Sequence, residues 1–466
     1  MISKTIYKTK HLVQSNLAQV PFLFATFVLL VSTVACIYVY SDCCIVYRPP
    51  IRSDGFGYYA YLPAVFIDHD LSMRTPLAYR WTVVGHRTLP YNWTGIARYE
   101  PTSGMLDKYT SGTALLQTPF FLAAHTVARM LRLRPYSAPY QIANVLSALT
   151  FFAAGAYLLV RLLMTQFPTR ISLISAAGIV FGTNVFHFAT YLGAFSHVYS
   201  FFLVSALITV ALRYRTLDAG SSTVTLCLIL GGILGLIALT RVPNVIVSLI
   251  PLALCMQRCC RTGIRSFVLE FAAGLLAFLV IFSPQLSYWH AITGHFFVNS
   301  YQGEQFNWLK PQVLNFLFSL KKGVFVWAPV LLIAVLGFWR FLKADKVLAV
   351  AILIVLLLEV YICSCWWIWW FGAPFGSRPF VDMMPLISIP LAYGFQWIGE
   401  RTWRLAPVLI VGLFISVNLF LMLSYWDELL PWNVATAGDL FQLPAKWARH
   451  PLLHLHASEA LSVEDF

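Results

Sequence analysis

The chain has 466 residues, of which 59% are hydrophobic and 11% are charged, and it carries 32 Lys and Arg against 19 Asp and Glu. Soluble proteins carry roughly a quarter charged residues, so this composition excludes a soluble globular fold. In so apolar a chain, an excess of basic residues is typical of anchoring at the cytoplasmic face of a membrane, and no nucleic-acid partner is predicted. The nine cysteines form no C-x₂-C pair, which argues against a zinc site and a disulfide framework.

Eleven apolar runs follow one another along the chain, most of them long enough to cross the hydrocarbon core at ~1.5 Å per residue. They lie at about 17–40, 138–160, 171–190, 195–213, 223–240, 242–257, 267–286, 324–342, 347–365, 380–398 and 406–424. Arg241, Pro243 and Asn244 interrupt the stretch 223–257. The basic residues at the other helix ends all fall on the cytoplasmic side only if this stretch crosses twice. We therefore predict about eleven transmembrane helices and a cytoplasmic N-terminus.

The first apolar run has a basic flank and no small-residue cleavage site, which predicts a retained anchor. After it, the loop 41–137 is expected on the outer face of the membrane. Within this loop, 57–67 and 112–132 are apolar but flanked by charges, a pattern that predicts amphipathic helices lying at the interface. Further outer segments are predicted at about 287–322 and 366–379.

The predicted fold class is therefore an all-α integral membrane protein with interfacial helices in its first outer loop. The chain shows no internal repeat and no soluble domain boundary. We expect one transmembrane domain over 1–424, including the outer loop, and a short outward-facing tail over 425–466.

Asp54 lies in the first outer loop, some 14 residues beyond the first helix, in the run Ser53-Asp54-Gly55. One interpretation is a turn whose aspartate caps the helix that follows. The other is a general base held just above the membrane surface. The spacing alone leaves both interpretations open.

Four stretches give the chain a resemblance to a known family. They are Ser53-Asp54-Gly55-Phe56-Gly57-Tyr58-Tyr59, Asp107-Lys108-Tyr109-Thr110-Ser111-Gly112, Leu239-Thr240-Arg241-Val242-Pro243-Asn244 and Phe375-Gly376-Ser377-Arg378-Pro379-Phe380. With the order of helices and outer loops, they make the sequence resemble the GT-C superfamily of glycosyltransferases, which use lipid-phosphate-linked sugars. It is similar to protein O-mannosyltransferases and to the aminoarabinose transferase of lipid A.

The resemblance implies that Asp54 is the catalytic carboxylate and that Lys108 contacts the lipid phosphate. From the sequence alone, Lys108 is equally a surface lysine that snorkels to water. The family usually has a second acidic residue near the first, whereas Gly55 follows Asp54 here. Asp70 is the candidate for that second carboxylate. With Asp68 it forms an Asp-x-Asp triplet that could hold a divalent cation or lie in a solvated loop; no cofactor is otherwise expected.

Two arginines complete a predicted binding site for the donor phosphate. Arg241 lies at a break between two apolar segments, and an arginine inside a membrane costs at least about 2.5–3.5 kcal/mol. A structural salt bridge is the alternative, but the nearest acid in sequence is Asp218. Arg378 follows a tryptophan-rich stretch, best interpreted as an interface belt, and Gly-Ser-Arg-Pro turns the chain into the next helix. A guanidinium binds phosphate with two parallel hydrogen bonds, so both are expected to do so.

Five further residues are candidates for the substrate pocket. Tyr58 and Tyr59 lie beside Asp54, and Asp70, His197 and Glu304 belong to outer loops or to the outer end of a helix. Adjacent residues on a helix point about 100° apart, so Ser196 and His197 are not expected to act as a nucleophilic pair. His197 is either a hydrogen-bond donor to the substrate or the capped start of a helix.

The hypothesis is a glycosyltransferase that moves a sugar from a polyprenyl-phosphate donor to an unidentified glycan, lipid or protein acceptor, with inversion and with Asp54 as the base. We expect a multi-pass protein of the plasma (bacterial inner) membrane, surrounded by membrane lipids, with its site on the outer (periplasmic) face. A lipid or sugar transporter, or a flippase, is the alternative. Such proteins commonly contain inverted repeats, which this sequence lacks. A non-catalytic assembly subunit is a third possibility.

Overall fold

The structure, a computed structural model, describes residues 2–41, 49–74, 95–99, 101–102, 104–134, 137–217 and 223–449. Over these residues the chain is a helical bundle with one short hairpin, so the predicted all-α fold is confirmed. Seven of the described helices are apolar and long enough to cross a membrane. They are Ala18–Tyr40, Ala138–Met164, His197–Arg215, Val242–Thr262, Ile264–Thr293, Lys346–Cys365 and Ala406–Trp426. A multi-pass membrane protein follows from them.

The elements are as follows in chain order. The first half contains α1 (Ile2–Ser41), α2 (Asp54–Pro63) with a π-turn (Ala64–Asp68), β1 (Ile96–Tyr99), β2 (Gly104–Asp107), α3 (Gly112–Met130), α4 (Ala138–Met164), α5 (Thr169–Phe181), α6 (Val185–Thr190) and α7 (His197–Arg215). The second half contains α8 (Val224–Thr240), a 3₁₀ turn (Val242–Ser248), α9 (Leu249–Thr262), α10 (Ile264–Thr293), α11 (Val313–Phe318), α12 (Val324–Trp327), α13 (Leu331–Ala344), α14 (Lys346–Cys365), a second 3₁₀ turn (Pro379–Met383), α15 (Met384–Arg401), α16 (Ala406–Trp426) and α17 (Ala437–Arg449).

Helical structure is present at each of the eleven positions where the sequence predicts a transmembrane segment, although several segments are broken. The run 171–190 is divided between α5 and α6. The interruption predicted within 223–257 is also present. Helix α8 ends at Thr240, and Arg241 is extended, with φ −155° and ψ 113°. The number of crossings stays a prediction, because some of these segments are shorter than a membrane span.

The two helices predicted at the interface differ from one another. In α3 one face is buried and the other carries exposed apolar side chains such as Leu115 and Leu122, as an interfacial helix requires. In α2, by contrast, every residue from Gly55 to Pro63 is buried. The expectation that 57–67 lies against the interface is therefore wrong for α2, whose apolar residues pack inside the protein.

The buried apolar residues form two clusters, and the site lies where they meet. The larger cluster fills the space between the long helices. There, α8 packs along α10 and α13 along α15. The smaller cluster joins α2, the hairpin, α3 and the C-terminal end of α10, through side chains such as Phe56, Phe121 and Tyr288. Burial of these aromatic groups holds α2, the hairpin and α3 on the helix bundle.

The topology can be tested by labelling single cysteines placed in a cysteine-free variant with a membrane-impermeant maleimide. We expect Thr262→Cys and a cysteine at 220 to be labelled only from the cytoplasmic side. Gln305→Cys and cysteines at 90 and 450 should be labelled from the outside, since the positive-inside rule orients the chain in this way. Labelling of positions 220 and 262 on opposite faces would contradict the double crossing of 223–257 and invert the topology downstream.

Candidate functional site

Asp54 is the first residue of α2 rather than its N-cap. The N-cap position is Ser53, which has a φ of 51° and makes no capping hydrogen bond with its side chain. The Asp54 carboxylate instead accepts a hydrogen bond from Arg378, whose Nη1 lies 2.6 Å from Asp54 Oδ2. The capping interpretation is therefore wrong, and residues 324 positions apart in sequence form a mostly buried ion pair.

Gly55 explains why no second acidic side chain follows Asp54. A Cβ atom at this position would lie 2.6 Å from the Cβ of Ala194, a distance that real atoms do not reach. Helix α2 therefore packs on the loop before α7 so closely that only glycine fits. This contact fixes the start of α2 against the segment before α7, and so positions Asp54, which pairs with Arg378.

Lys108 is positioned by the hairpin and by the start of α3. Strands β1 and β2 are antiparallel, and the backbone N–H of Lys108 donates to the carbonyl of Gly95 at 2.9 Å. A Cβ atom on Gly112 would lie 2.4 Å from the backbone of Leu239, so α3 begins in contact with the end of α8. The ammonium of Lys108 lies 2.9 Å from Glu304 Oε1. The predicted phosphate ligand therefore faces a carboxylate and stands close to the break at Arg241.

Arg241 forms a salt bridge that the sequence did not reveal. Its Nη1 lies 3.2 Å from Oδ2 of Asp382, which is wholly buried in the 3₁₀ turn before α15. His197 Nδ1 lies 2.9 Å from the other oxygen of the same carboxylate, and Asn244 donates to Oδ2 at 2.8 Å. The alternative, that Arg241 forms a structural salt bridge, is thus confirmed for the contact itself, and the partner is Asp382. Asp218 lies outside the described residues. The carboxylate of Asp382 thus connects the start of α7, the end of α8 and the turn before α15.

A cavity of about 300 Å³ lies between the segment that follows β2, the break at Arg241, α14 and the loop after α10. Its polar lining includes two cations and two carboxylates, Lys108, Arg241, Glu304 and Glu359. Much of the remaining wall is aromatic, with Tyr58, Tyr109, Trp289, Tyr301, Phe306, Trp366 and Phe371. An aromatic cleft with a few convergent polar groups is the usual form of a small-molecule site.

The Asp54–Arg378 pair adjoins this cavity. The guanidinium of Arg378 lies 5.9 Å from the ring centre of Phe371, which lines the wall. Tyr301, also in the wall, is close enough to interact electrostatically with Lys108, Arg241 and Arg378. The three cations predicted to bind a donor phosphate therefore surround one space, and their role stays a prediction.

Of the other residues predicted to form the substrate pocket, some line the cavity and some do not. Tyr58 and Glu304 line the cavity, whereas Tyr59 packs edge-on against Phe121 in the smaller cluster. His197 lies behind the wall, where it contacts Asp382 and starts α7. A direct contact between His197 and a substrate in this cavity is therefore not supported.

Asp68 and Asp70 lie at the far end of the π-turn and are not part of the cavity wall. The Asp70 carboxylate accepts hydrogen bonds from the Ser72 hydroxyl at 2.5 Å and from the Ser72 N–H at 2.8 Å. These bonds lower the pKa of Asp70. In the parts of the chain described, no three His, Cys, Asp or Glu side chains gather as a metal site would require. Cation binding by Asp68 and Asp70 stays a prediction.

Several residues of the site were missed by the sequence reasoning. Asp382 and Glu359 are acids inside apolar runs, a signal that the sequence did contain, because intramembrane carboxylates are rarely without a function. Trp366 was assigned to an interface belt, but it lines the cavity, while Trp367 is 47% exposed. Tyr301 offered no signal, because a tyrosine in an outer loop is common.

Two opposing effects set the pKa of Asp54. Burial raises it, but the positive charges of Arg378 and Lys108 outweigh burial, so the pKa of Asp54 lies below its ordinary value. For Lys108, burial lowers the pKa, and the negative charges of Asp54 and Glu304 more than reverse this effect. Both side chains are thus charged at neutral pH.

The chain matches no protein-family model and no curated protein sequence. Among solved structures it is similar to the archaeal oligosaccharyltransferase AglB from Archaeoglobus fulgidus in complex with an inhibitory peptide and a dolichol-phosphate. That match has a TM-score of 0.49 and 10% identity over 89% of this chain and 56% of the other. A second structure of the Archaeoglobus fulgidus oligosaccharyltransferase, in complex with Zn and sulfate, gives a TM-score of 0.48 and 11% identity over 91% and 55%.

The chain thus spans little more than half the length of these two chains. Both are oligosaccharyltransferases by description. At identities of 10% and 11% the similarity concerns the course of the chain and assigns no role to any residue.

Proposed function

We propose that this protein is a glycosyltransferase that takes a sugar from a polyprenyl-phosphate donor and transfers it to an acceptor at the outer face of the membrane. The observation that carries the proposal is the cavity flanked by Lys108, Arg241 and Arg378, with the carboxylate of Asp54 beside it. A donor of this class has an apolar tail, an anionic phosphate and a sugar. The membrane-embedded bundle suits the apolar tail, the cations suit the phosphate, and the aromatic walls suit the sugar.

The cations have hydrogen-bonding capacity beyond their present partners. A guanidinium has five N–H donors. The Arg378 contact with Asp54 is made through Nη1, and that of Arg241 with Asp382 also through Nη1. The remaining donors can bind a phosphate without breaking either ion pair. In a partly dry site, such fixed charges stabilise a leaving anion more strongly than they would in water.

The proposed reaction is a direct displacement with inversion at the anomeric carbon. The acceptor hydroxyl or amine forms the new bond to this carbon and gives its proton to Asp54. The bond between the carbon and the donor phosphate breaks, and polyprenyl phosphate leaves with the electron pair. Lys108, Arg241 and Arg378 would stabilise the negative charge that grows on the leaving phosphate. No metal ion takes part in this scheme.

Transfer can be distinguished from transport by following the donor in membranes that contain the full chain. With a radiolabelled polyprenyl-phosphate sugar pool and native envelope material as acceptor, we expect bare polyprenyl phosphate to be released and the label to enter a non-donor product. Both changes should be absent from membranes that lack the protein. Movement of the intact donor between leaflets, with no bare polyprenyl phosphate formed, would instead support a flippase.

A further inference from the structure

We infer that Glu359 is the sugar-recognising residue of the cavity and binds a hydrogen-bond donor, a hydroxyl or an ammonium group, on the sugar ring. The inference rests on the glycosyl-transfer function proposed above. It adds a ligand contact for a carboxylate that the proposed reaction does not use.

Glu359 is a buried acid, and one of its two carboxylate oxygens has no hydrogen-bond partner among the described residues. It lies in α14, is 1% exposed and belongs to the cavity lining. Its Oε1 accepts a hydrogen bond from the thiol of Cys363 at 3.2 Å. Its Oε2 is buried and has no hydrogen-bond partner among the described residues. Buried polar atoms are nearly always hydrogen-bonded, so an unpaired one in a cavity wall indicates a missing partner.

The charges around the cavity single out the same residue. Each nearby cation has its own carboxylate, in the pairs Lys108–Glu304, Arg241–Asp382 and Arg378–Asp54. Glu359 is close enough to Arg241 to interact electrostatically, but the guanidinium contacts Asp382 instead. Of the described carboxylates at this site, Glu359 is thus the one without an ion-pair partner. A hydrogen-bond donor on a ligand would supply the partner that Glu359 Oε2 lacks among the described residues.

The walls indicate that this ligand group belongs to a sugar. Trp289, Trp366 and Phe371 line the same cavity, and aromatic rings pack well against the C–H faces of a sugar ring. A carboxylate oxygen accepts hydrogen bonds from hydroxyl or ammonium groups. Under the proposed function Lys108, Arg241 and Arg378 would hold the donor phosphate, so the attached sugar would extend towards α14 and Glu359.

The test measures how much the sugar adds to the affinity for the lipid phosphate. The full chain in lipid nanodiscs is titrated with bare decaprenyl phosphate, decaprenyl-phosphate mannose and decaprenyl-phosphate aminoarabinose. The wild type should bind at least one sugar-bearing lipid roughly 10- to 100-fold more tightly than the bare phosphate, the effect of one hydrogen bond to a charged group. If neither sugar adds affinity, the inference is wrong and the proposed function stands.

Variants of Glu359 distinguish a contact with a sugar hydroxyl from a contact with a sugar ammonium group. Glu359→Leu should remove the sugar-dependent gain, taken as the ratio of the affinities for the sugar-bearing lipid and the bare phosphate in the same variant. Binding of bare decaprenyl phosphate should be retained, which shows that the variant is folded, and it should become no weaker, because a negative charge near Arg241 has been removed. Glu359→Gln keeps an acceptor oxygen without the charge. It should retain much of the gain for a hydroxyl contact and lose it for an ammonium contact.

Two further results decide the remaining cases. Glu400→Gln is the matched control, because Glu400 is exposed and paired with Arg340 away from the cavity; it should bind all three lipids as the wild type does. A sugar-dependent gain that survives Glu359→Leu would overturn the assignment. If the wild type fails to bind bare decaprenyl phosphate, it is the proposed function that is wrong.

Discussion

Asp54→Asn is expected to lower the rate of sugar transfer about 10²- to 10⁴-fold, the usual contribution of a general base. Asparagine has the same shape and can still accept a hydrogen bond from Arg378, so the variant should fold, with a lower thermal stability because a mostly buried ion pair loses one charge. Donor binding should survive, because Lys108, Arg241 and Arg378 remain. The measurement is transfer from labelled polyprenyl-phosphate sugar in membranes at equal protein abundance.

Asp70→Asn is the matched comparison for this variant, since Asp70 is the other acid that the sequence suggests. The Asp70 carboxylate contacts Ser72 and does not line the cavity. The transfer rate of Asp70→Asn should therefore be close to that of the wild type. Transfer at the wild-type rate by Asp54→Asn, together with a loss in Asp70→Asn, would move the base to Asp70.

Arg378→Ala is expected to weaken donor binding and to lower turnover about 10²- to 10³-fold, as removal of one donor to a transition-state anion does. Arg378→Lys should recover only part of this loss, because an ammonium lacks the planar fork. The readouts are donor affinity and transfer rate. Arg340→Ala, which removes an arginine from the remote pair with Glu400, should change neither. Unchanged donor affinity in Arg378→Ala would contradict a role in binding the phosphate.

The same variant gives a pH signature. In the wild type, Arg378 is the strongest influence that lowers the pKa of Asp54, opposing the effect of burial. Without it the pKa of Asp54 should rise, because burial is then opposed chiefly by Lys108. A base must be ionised to act, so activity is lost as the pH falls through its pKa. The acid limb of the rate profile should therefore lie at higher pH in Arg378→Ala than in the wild type.

The sequence predicts the parts of the fold that local hydropathy determines. Helical segments follow from runs of apolar residues, and the break at Arg241 follows from the residues that interrupt such a run. Helix α2 was misassigned, because an apolar stretch flanked by charges looks the same whether it lies on a membrane or inside a protein. Only the tertiary packing on Ala194 and Phe121 distinguishes the two cases.

The ion pairs of the site were beyond sequence reasoning. The three cations were identified one by one, from motif and position. Their carboxylates lie 324, 196 and 141 positions away, for Arg378, Lys108 and Arg241 respectively. Such pairings depend on how the helix ends meet, which no local pattern encodes. Gly55 and Gly112 are the exceptions, since a glycine at a helix start suggests close approach without naming the partner.

The ion pair between Asp54 and Arg378 has a kinetic consequence for the proposed reaction. Before a donor binds, Arg378 stabilises the ionised form of Asp54 and so keeps it a weak proton acceptor. A phosphate anion bound at Arg378 offsets that positive charge, and burial then raises the proton affinity of the carboxylate. The base would thus gain strength only after the donor has arrived. Such an enzyme should follow an ordered sequence, with the lipid bound first and the acceptor second.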